Sequence, residues 1–225
     1  MVTKEILYFT DNRLDRKPIG KAAKEWLLKG GLPILSISLK PIKFGRNIHY
    51  EGRRSHTTMF KQILTGLAAA TADVIFMGEH DVLYHPSHFD FIPERDDVYY
   101  YNNNVWKYRL SDQKVIRYDC KWLSQLCAYR ELLIEHYERR IAVIESGKRA
   151  YGYEPGTGAN KRIDDFKAES WDSEYPNIDV RHGRNWTGVR RMDPSEFKDK
   201  RTCQNWQETT VDKVPGWDKE VLLSL

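Results

Sequence analysis

The rhythm of apolar runs in the first part of the chain limits the possible folds more than any other feature. Ile6-Leu7-Tyr8-Phe9 is a short apolar run that stops at Thr10-Asp11-Asn12, after which Ile19, Ala22, Ala23, Trp26 and Leu27 recur at helical spacing up to Gly30-Gly31. Leu32 to Leu39 reads as a second strand, broken by Pro41 and followed by a basic loop through Lys43 and Arg46 to Arg53-Arg54. Met59, Phe60, Ile63, Leu64 and Leu67 form the apolar face of a second helix, with Ser55 or Thr57 as its cap, and Val74-Ile75-Phe76-Met77 is a third strand ending on Gly78-Glu79-His80-Asp81. Strand, helix, strand, helix, strand in this order predicts a parallel sheet with crossover helices. Such sheets bind ligands beyond the carboxyl ends of their strands, where both polar clusters fall.

The second half has a different texture. Val98-Tyr99-Tyr100-Tyr101, Val105-Trp106-Lys107-Tyr108 and Lys114-Val115-Ile116-Arg117-Tyr118 read as short antiparallel strands separated by Asn-rich and Ser-Asp turns. Leu133, Tyr137, Ile141 and Ile144 mark a helix ended by Gly147, and from Tyr151 onward Pro and Gly punctuate a mostly irregular region rich in Trp and Arg. With 225 residues, one domain of ordinary size is expected. No run approaches the ~20 apolar residues of a membrane-spanning helix. A 12% aromatic share opposes intrinsic disorder. The start of the chain lacks an export signal, and the odd, widely spaced Cys120, Cys127 and Cys203 fit a reducing compartment, so a cytoplasmic protein with buried thiols is expected.

Glu79-His80-Asp81 carries the functional reading, because two carboxylates separated by one residue at a strand end can face one small volume, and hard divalent cations prefer oxygen ligands. The segment Asp73-Val-Ile-Phe-Met-Gly-Glu-His-Asp81 resembles the strand and acidic motif of the GT-A glycosyltransferases, with Glu in place of the first Asp of their Asp-x-Asp motif. That resemblance implies an α/β, GT-A-like fold: a Rossmann-type, mostly parallel sheet with an antiparallel acceptor-side part. It also implies a divalent metal, Mn2+ or Mg2+, and a nucleotide-sugar donor, UDP-linked in the reading favoured here. Asp81 would be the metal ligand, with Glu79 near the ribose or a metal-bound water. Asn177-Ile-Asp-Val-Arg-His182-Gly183-Arg184-Asn185-Trp186-Thr187 resembles the late segment in which many such enzymes present a His to the same metal, which assigns His182.

The remaining candidates follow from position. Thr10, Asp11 and Asn12 lie where the fold would meet the base and ribose, although polar residues at a strand end are also ordinary turn formers. Arg54 precedes the second helix, whose positive end favours an anionic donor. Arg184, Arg190 and Arg191 are candidates for neutralising the leaving diphosphate. For the base that takes the acceptor's hydroxyl proton, the irregular Glu154-Pro-Gly-Thr-Gly loop favours Glu154, with Asp165, Asp164 and Asp119 as alternatives. His85-Pro86-Ser87-His88 raises a zinc-hydrolase reading, which the Pro between the two His residues opposes.

A single catalytic domain over 1–192 is expected, with a donor half of about 1–92, an acceptor half of about 93–192, and a C-terminal extension over 193–225. The acceptor rests on charge placement. The net charge is only +4, but one basic group runs through Lys40, Lys43, Arg46, Arg53, Arg54 and Lys61, and another through Arg181, Arg184, Arg190, Arg191, Lys198, Lys200 and Arg201. Trp171, Trp186, Trp206 and Trp217 lie among or beyond the second group. Cations beside aromatic rings suit phosphates and an extruded base, and equally a sugar stacked on Trp. The chain resembles small phage-type glycosyltransferases acting on 5-hydroxymethylcytosine in DNA. Transfer to a saccharide or glycolipid of surface-polysaccharide assembly is the competing reading. A non-catalytic nucleic-acid-binding module is a third, and leaves the acidic strand-end clusters unexplained.

Overall fold

The computed structural model describes residues 2–158, 163, 167–183, 185, 191–197 and 203–225. The opening strand-helix rhythm folds as the sequence predicts: β1 (Lys4–Thr10), α1 (Pro18–Lys29) and β2 (Ile34–Ser38) are followed by a short edge strand β3 (Arg46–His49), α2 (His56–Ala69) and β4 (Val74–Gly78). β1 lies between β2 and β4, parallel to both, and β2 pairs in parallel with β3. Strands covered on both faces need near-continuous apolar sequence, and every residue of β2 and β4 is buried. β3 falls in the stretch read as a basic loop. Its exposed ends and single large apolar residue, Ile48, follow from its place at the sheet edge.

The chain then forms β5 (Val82–Leu83), β6 (Tyr99–Asn102), β7 (Val105–Arg109), β8 (Lys114–Arg117), β9 (Leu126–Tyr129), α3 (Arg130–Glu145), β10 (Ala168–Trp171), β11 (Asn177–Arg181), β12 (Gln207–Thr209) and α4 (Lys219–Leu223). The large sheet has the order β10-β6-β9-β4-β1-β2-β3, with β9 antiparallel to both β4 and β6. A second sheet has the order β12-β8-β7-β11-β5. The expected antiparallel meander is therefore corrected: β6 belongs to the large sheet and β10 pairs with it in parallel, while β7 runs antiparallel to β8 but parallel to β11. The mixed α/β architecture, with a mostly parallel sheet and an antiparallel part, is the one that the GT-A resemblance implies.

α2 and α3 pack on one face of the large sheet, where Leu7, Leu35, Ile63, Leu67, Leu133 and Tyr137 are buried together. Leu27 of α1 and Phe89 pack on the opposite face with Ile6, Tyr8 and Phe76. Beneath the second sheet, Trp106, Tyr108, Ile178 and Val180 share a cluster with Val211, Val214, Trp217 and Leu222, so the C-terminal segment helps to build the core. No helix among the described residues is long and apolar enough to cross a membrane.

Two glycines allow the close approaches that place the site. In α2, a Cβ on Gly66 would stand 2.4 Å from Leu7 Cδ1 and 2.8 Å from Ile37 Cγ1, so the absent side chain seats this helix on β1 and β2. In the first turn of α1, a Cβ on Gly20 would fall 2.1 Å from the Leu14 carbonyl oxygen, which ties the helix to the loop leaving β1. Helix propensity alone favours Ala over Gly by up to ~1 kcal/mol. A backbone clash outweighs that gain, so Gly20→Ala should destabilise the fold by about 1–3 kcal/mol, seen as a lower urea midpoint; an unchanged or higher midpoint would remove the packing argument.

Candidate functional site

The carboxyl ends of β1 and β4 open onto a cavity of about 290 Å³. Its wall is completed by the amino end of α2, by the loop carrying Tyr153 and Glu154, and by polar side chains of β7 and β11. Ser55 caps α2, accepting a hydrogen bond from the Thr58 N–H at 2.9 Å, so the helix presents its start, with Arg54 and His56, to the cavity.

The cluster after β1 divides its work. Thr10 is buried, and its hydroxyl lies 2.8 Å from His80 Nδ1, joining the ends of β1 and β4. Asp11 lines the cavity but accepts hydrogen bonds from Arg13 Nε at 2.7 Å and Arg54 Nε at 2.6 Å. Burial by itself would raise its carboxyl; His80, Arg13 and Arg54 outweigh burial and hold it below the usual range. Asn12 has a φ of 66° and is spent on the loop: its amide donates to Asp15 at 2.6 Å and to the Lys40 carbonyl at 3.0 Å, while its oxygen accepts from the Lys40 N–H at 2.8 Å. Thus Asp11 places Arg54 at the cavity, and Asn12 fastens the loop behind it.

At the end of β4, the Glu79 N–H donates to Tyr84 Oη at 3.0 Å, which fixes the acidic turn. Asp81 and His182 stand 101 residues apart in sequence, yet His182 Nε2 lies 3.3 Å from Asp81 Oδ2. Asn185 donates to the same oxygen at 2.8 Å and to the Val180 carbonyl at 3.1 Å, setting the turn that brings His182 in. Burial would raise the Asp81 carboxyl, but His182, His80 and Arg181 hold it low. Glu79 moves the opposite way: burial and then the neighbouring Asp81, Asp179 and Glu154 push its carboxyl well above the ordinary range.

Among the described residues, no three His, Cys, Asp or Glu side chains are gathered so as to hold a metal ion by themselves. Asp81, which lines the cavity, nevertheless forms a carboxylate-imidazole pair with His182 behind it. Two protein ligands would leave the remaining positions of a divalent ion to substrate phosphate oxygens and water, and the imidazole among them departs from the all-oxygen set usual for Mg2+.

β11 contributes Arg181, which the sequence reading placed among the basic residues suited to phosphates, and Asp179, which it did not assign to chemistry. Its residues alternate between the apolar cluster and the cavity, so Ile178 and Val180 are buried below while Asp179 and Arg181 line the cavity. Arg181 Nη2 is 2.5 Å from Asp179 Oδ2, with both side chains nearly buried. Burial raises the Asp179 carboxyl, and Arg181 counteracts it. The alternation Asn177-Ile-Asp-Val-Arg was available in the sequence as the signal of a half-buried strand.

Glu154 also faces the cavity. Burial pushes its carboxyl up to about 7, against the opposing effects of Arg140 and a backbone hydrogen bond from Leu123. Arg140, buried on α3, donates to the Ala150 carbonyl at 3.0 Å and the Tyr153 carbonyl at 2.9 Å, and its guanidinium lies 4.0 Å from the Phe60 ring centre and 4.3 Å from that of Tyr153. The loop that carries Glu154 is therefore held by α3. Asp119 accepts from Asn103 at 2.8 Å and Asn205 at 2.6 Å. Asp164, Asp165, Arg184, Arg190 and Trp186 lie outside the described residues. His88 is enclosed by the rings of Phe76, Tyr84, Phe89 and Trp171, and His85 Nδ1 accepts from the Ser87 N–H at 3.2 Å, so this pair serves packing and a local turn.

No family model and no curated protein matches the chain. Solved structures similar to it include a nucleotidyl transferase from Methanothermobacter thermautotroptrophicus (14% identity, TM-score 0.41, covering 73% of this chain and 93% of that one). A second is a glycosyltransferase involved in glycosylation of the major capsid of PBCV-1 (12% identity, TM-score 0.47, covering 76% and 81%). A third is a mutant of Drosophila β1,4-galactosyltransferase 7 in complex with manganese, UDP-Gal and xylobiose (13% identity, TM-score 0.38, covering 66% and 63%).

Arg181 is the charge on which the acidic wall depends. Arg181→Met leaves Asp179 buried without its ion-pair partner and should cost ~3–5 kcal/mol near neutral pH. The loss should shrink as pH falls and the carboxyls become neutral, because the penalty belongs to their charged forms. Urea unfolding of the two proteins at pH 5 and pH 8 checks this; an equal loss at both would show that the role of Arg181 is packing alone.

Proposed function

We propose that the protein is a metal-dependent, nucleotide-sugar glycosyltransferase. The observation that carries this reading is the meeting of Asp81, after β4, with His182, after β11, at the wall of a cavity that Asp81 lines together with Glu154. In this reading Asp81 and His182 hold the divalent ion, which supplies neutralisation of the leaving diphosphate. Glu79 lies beside them. Arg54, fixed by Asp11, and the amino end of α2 attract the donor's anionic part, while Thr10 shapes the nucleoside end. Arg184 and Arg190 are the further diphosphate candidates. Donor-handling residues fall in about 1–92, the acceptor half is about 93–192, and 193–225 is the C-terminal extension.

Glu154 is the proposed base, with Asp165 as the alternative. The acceptor oxygen forms a bond to the anomeric carbon, the bond from that carbon to the diphosphate oxygen breaks with its electron pair, and the hydroxyl proton passes to a Glu154 oxygen. A carboxyl pushed up to about 7 suits this task, since it is a stronger base than an ordinary Glu yet is substantially ionised near neutral pH.

For the acceptor, the proposal remains the hydroxymethyl group of 5-hydroxymethylcytosine in DNA, with a saccharide or glycolipid as the alternative. Lys40, Lys43 and Arg53 are exposed, as a polyanion track requires. Arg46, by contrast, donates to the Ala69 carbonyl and Lys61 pairs with Glu145. The partly buried Trp122 at the cavity offers a ring face that a base or a sugar could stack upon.

The deciding experiment incubates the protein and Mn2+ with a panel of sugar nucleotides and with hydroxymethylated DNA, unmodified DNA or saccharides, followed by mass spectrometry. A sugar mass added to hydroxymethylcytosine is the expected result; transfer to a saccharide only would reassign the acceptor. DNA fragmentation would identify a nuclease, and gel retardation without added mass a binding module. Asp81→Ala should abolish Mn2+-dependent donor hydrolysis, and unchanged turnover would remove the acidic motif from the mechanism.

The pH profile tests the base. Glu154 acts when deprotonated, so kcat/KM should rise with pH up to about 7 and level off above it. Glu154→Gln should lower the plateau by ~10²–10⁴ and abolish that rise, with donor affinity retained. A wild-type profile in the variant would exclude Glu154.

A further inference from the structure

The cavity contains a cation that the proposed transfer has not used. Lys107, on β7, is 5% exposed, and its Nζ lies 4.0 Å from the ring centres of both Tyr118 and Trp122. It donates a hydrogen bond to Tyr118 Oη. Among the described residues, no carboxylate lies within ion-pair distance of this amine. Asp179, its partner in register on β11, gives its own carboxylate to Arg181. An ammonium carries three donors, and the Tyr118 hydroxyl accounts for one.

We propose that Lys107 binds an anionic oxygen, of a carboxylate or a phosphate, on a ligand that enters this cavity beside the ring of Trp122. A buried cation without a counter-charge is expensive, so a chain that needed only packing here is better served by a neutral side chain. The aromatic pair steadies the amine without neutralising it. Burial, with Arg181 and Arg191 adding to it and with Asp179 and Cys120 opposing, pushes the amine down to about 7, as expected of a cation awaiting its counter-ion.

The inference rests on the glycosyl-transfer reading only for the source of the anion. Lys107 is the register partner of Asp179 and lines the cavity from β7, a strand of the proposed acceptor half. Asp179 and Arg181 act on Lys107 and on Asp81 alike. An acceptor ring that bears a carboxylate or phosphate could stack on Trp122 and give its anion to Lys107. The donor diphosphate is the other source of the same chemistry.

Lys107→Met and Lys107→Gln test the proposal by signs that damage to the fold cannot imitate. Free of ligand, Lys107→Met should melt ~2–4 °C higher than wild type, because an uncompensated buried charge has been removed. Inorganic pyrophosphate, UDP, methyl glucuronide and neutral methyl glucoside are then titrated by calorimetry. Both variants should lose roughly tenfold or more in affinity for an anionic probe, the size of a lost charge-assisted hydrogen bond, and none for methyl glucoside. Loss confined to methyl glucuronide identifies the acceptor as the source; loss with UDP and pyrophosphate identifies the donor. Should Lys107→Met fail to fold, Lys107→Gln carries the binding test. Wild-type affinity for every anion in the folded variant, or no anion binding by the wild-type protein, would overturn the proposal. Selective loss in a protein that transfers no sugar from any donor would retain the anion site and remove the transferase reading.

Discussion

Besides Asp11, which is held by Arg13 and Arg54, four carboxyl groups, Glu79, Asp81, Glu154 and Asp179, line one cavity, and the surrounding structure divides charge among them. Near-buried carboxylates at close range cannot all ionise without counter-charge. Arg181 neutralises Asp179, and His182, His80 and Arg181 favour the charged form of Asp81. Glu79 and Glu154, less well compensated, are pushed the other way. The consequence is chemical differentiation: one carboxyl suited to a cation, two suited to a proton, and one locked in an ion pair.

The fold makes this division possible by bringing two sheets together at one edge. Parallel pairing of β1 with β2 and β4 sends the ends of β1 and β4 to the same side, and the short β5 after the acidic turn pairs antiparallel with β11. That last pairing carries information from one sheet to the other. It aligns Val82, next to Asp81, with Asp179, so the strand supplying Arg181 and leading to His182 is registered directly against the acidic turn. A one-residue slip would exchange Asp179 and Arg181 for Ile178 and Val180 at the cavity. The apolar cluster beneath the sheet prevents it.

Much of this was legible in the sequence where periodicity was long or strongly apolar. β1, β2, β4, α1 and α2 were readable because their runs are bounded by turn residues and are buried on whole faces. β3 and β9 were not. β3 is short and exposed at an edge, and β9 runs into α3 without a turn signal between Tyr129 and Arg130. Asp81, His182 and Glu154 were singled out in the sequence by motif or loop position. Lys107 and Asp179 were overlooked, and Arg181 was read only as one of a basic group, because their placement depends on which face of a second sheet points inward, a matter decided by long-range pairing. Asn12 and Asp11 show the converse: the polar turn was visible, but their division between loop fastening and placement of Arg54 required knowing that Lys40 and Arg54 return to it.

Glu154 and Lys107 approach neutrality from opposite directions, and the shared cause is the same reluctance of a water-poor wall to hold charge. Burial raises a carboxyl and lowers an amine, so groups separated by several pH units in water both titrate near 7 here. An ion pair such as Asp179–Arg181 resists this effect in part, the guanidinium opposing the burial that still raises the Asp179 carboxyl. Uncommitted groups do not, and their charge responds to whatever enters. A cavity whose every charge was already paired would be more rigid but indifferent to its ligand. Leaving one amine and one carboxyl near their balance points makes the arrival of an anion, or of a hydroxyl that must lose its proton, the event that settles the charge state of the site.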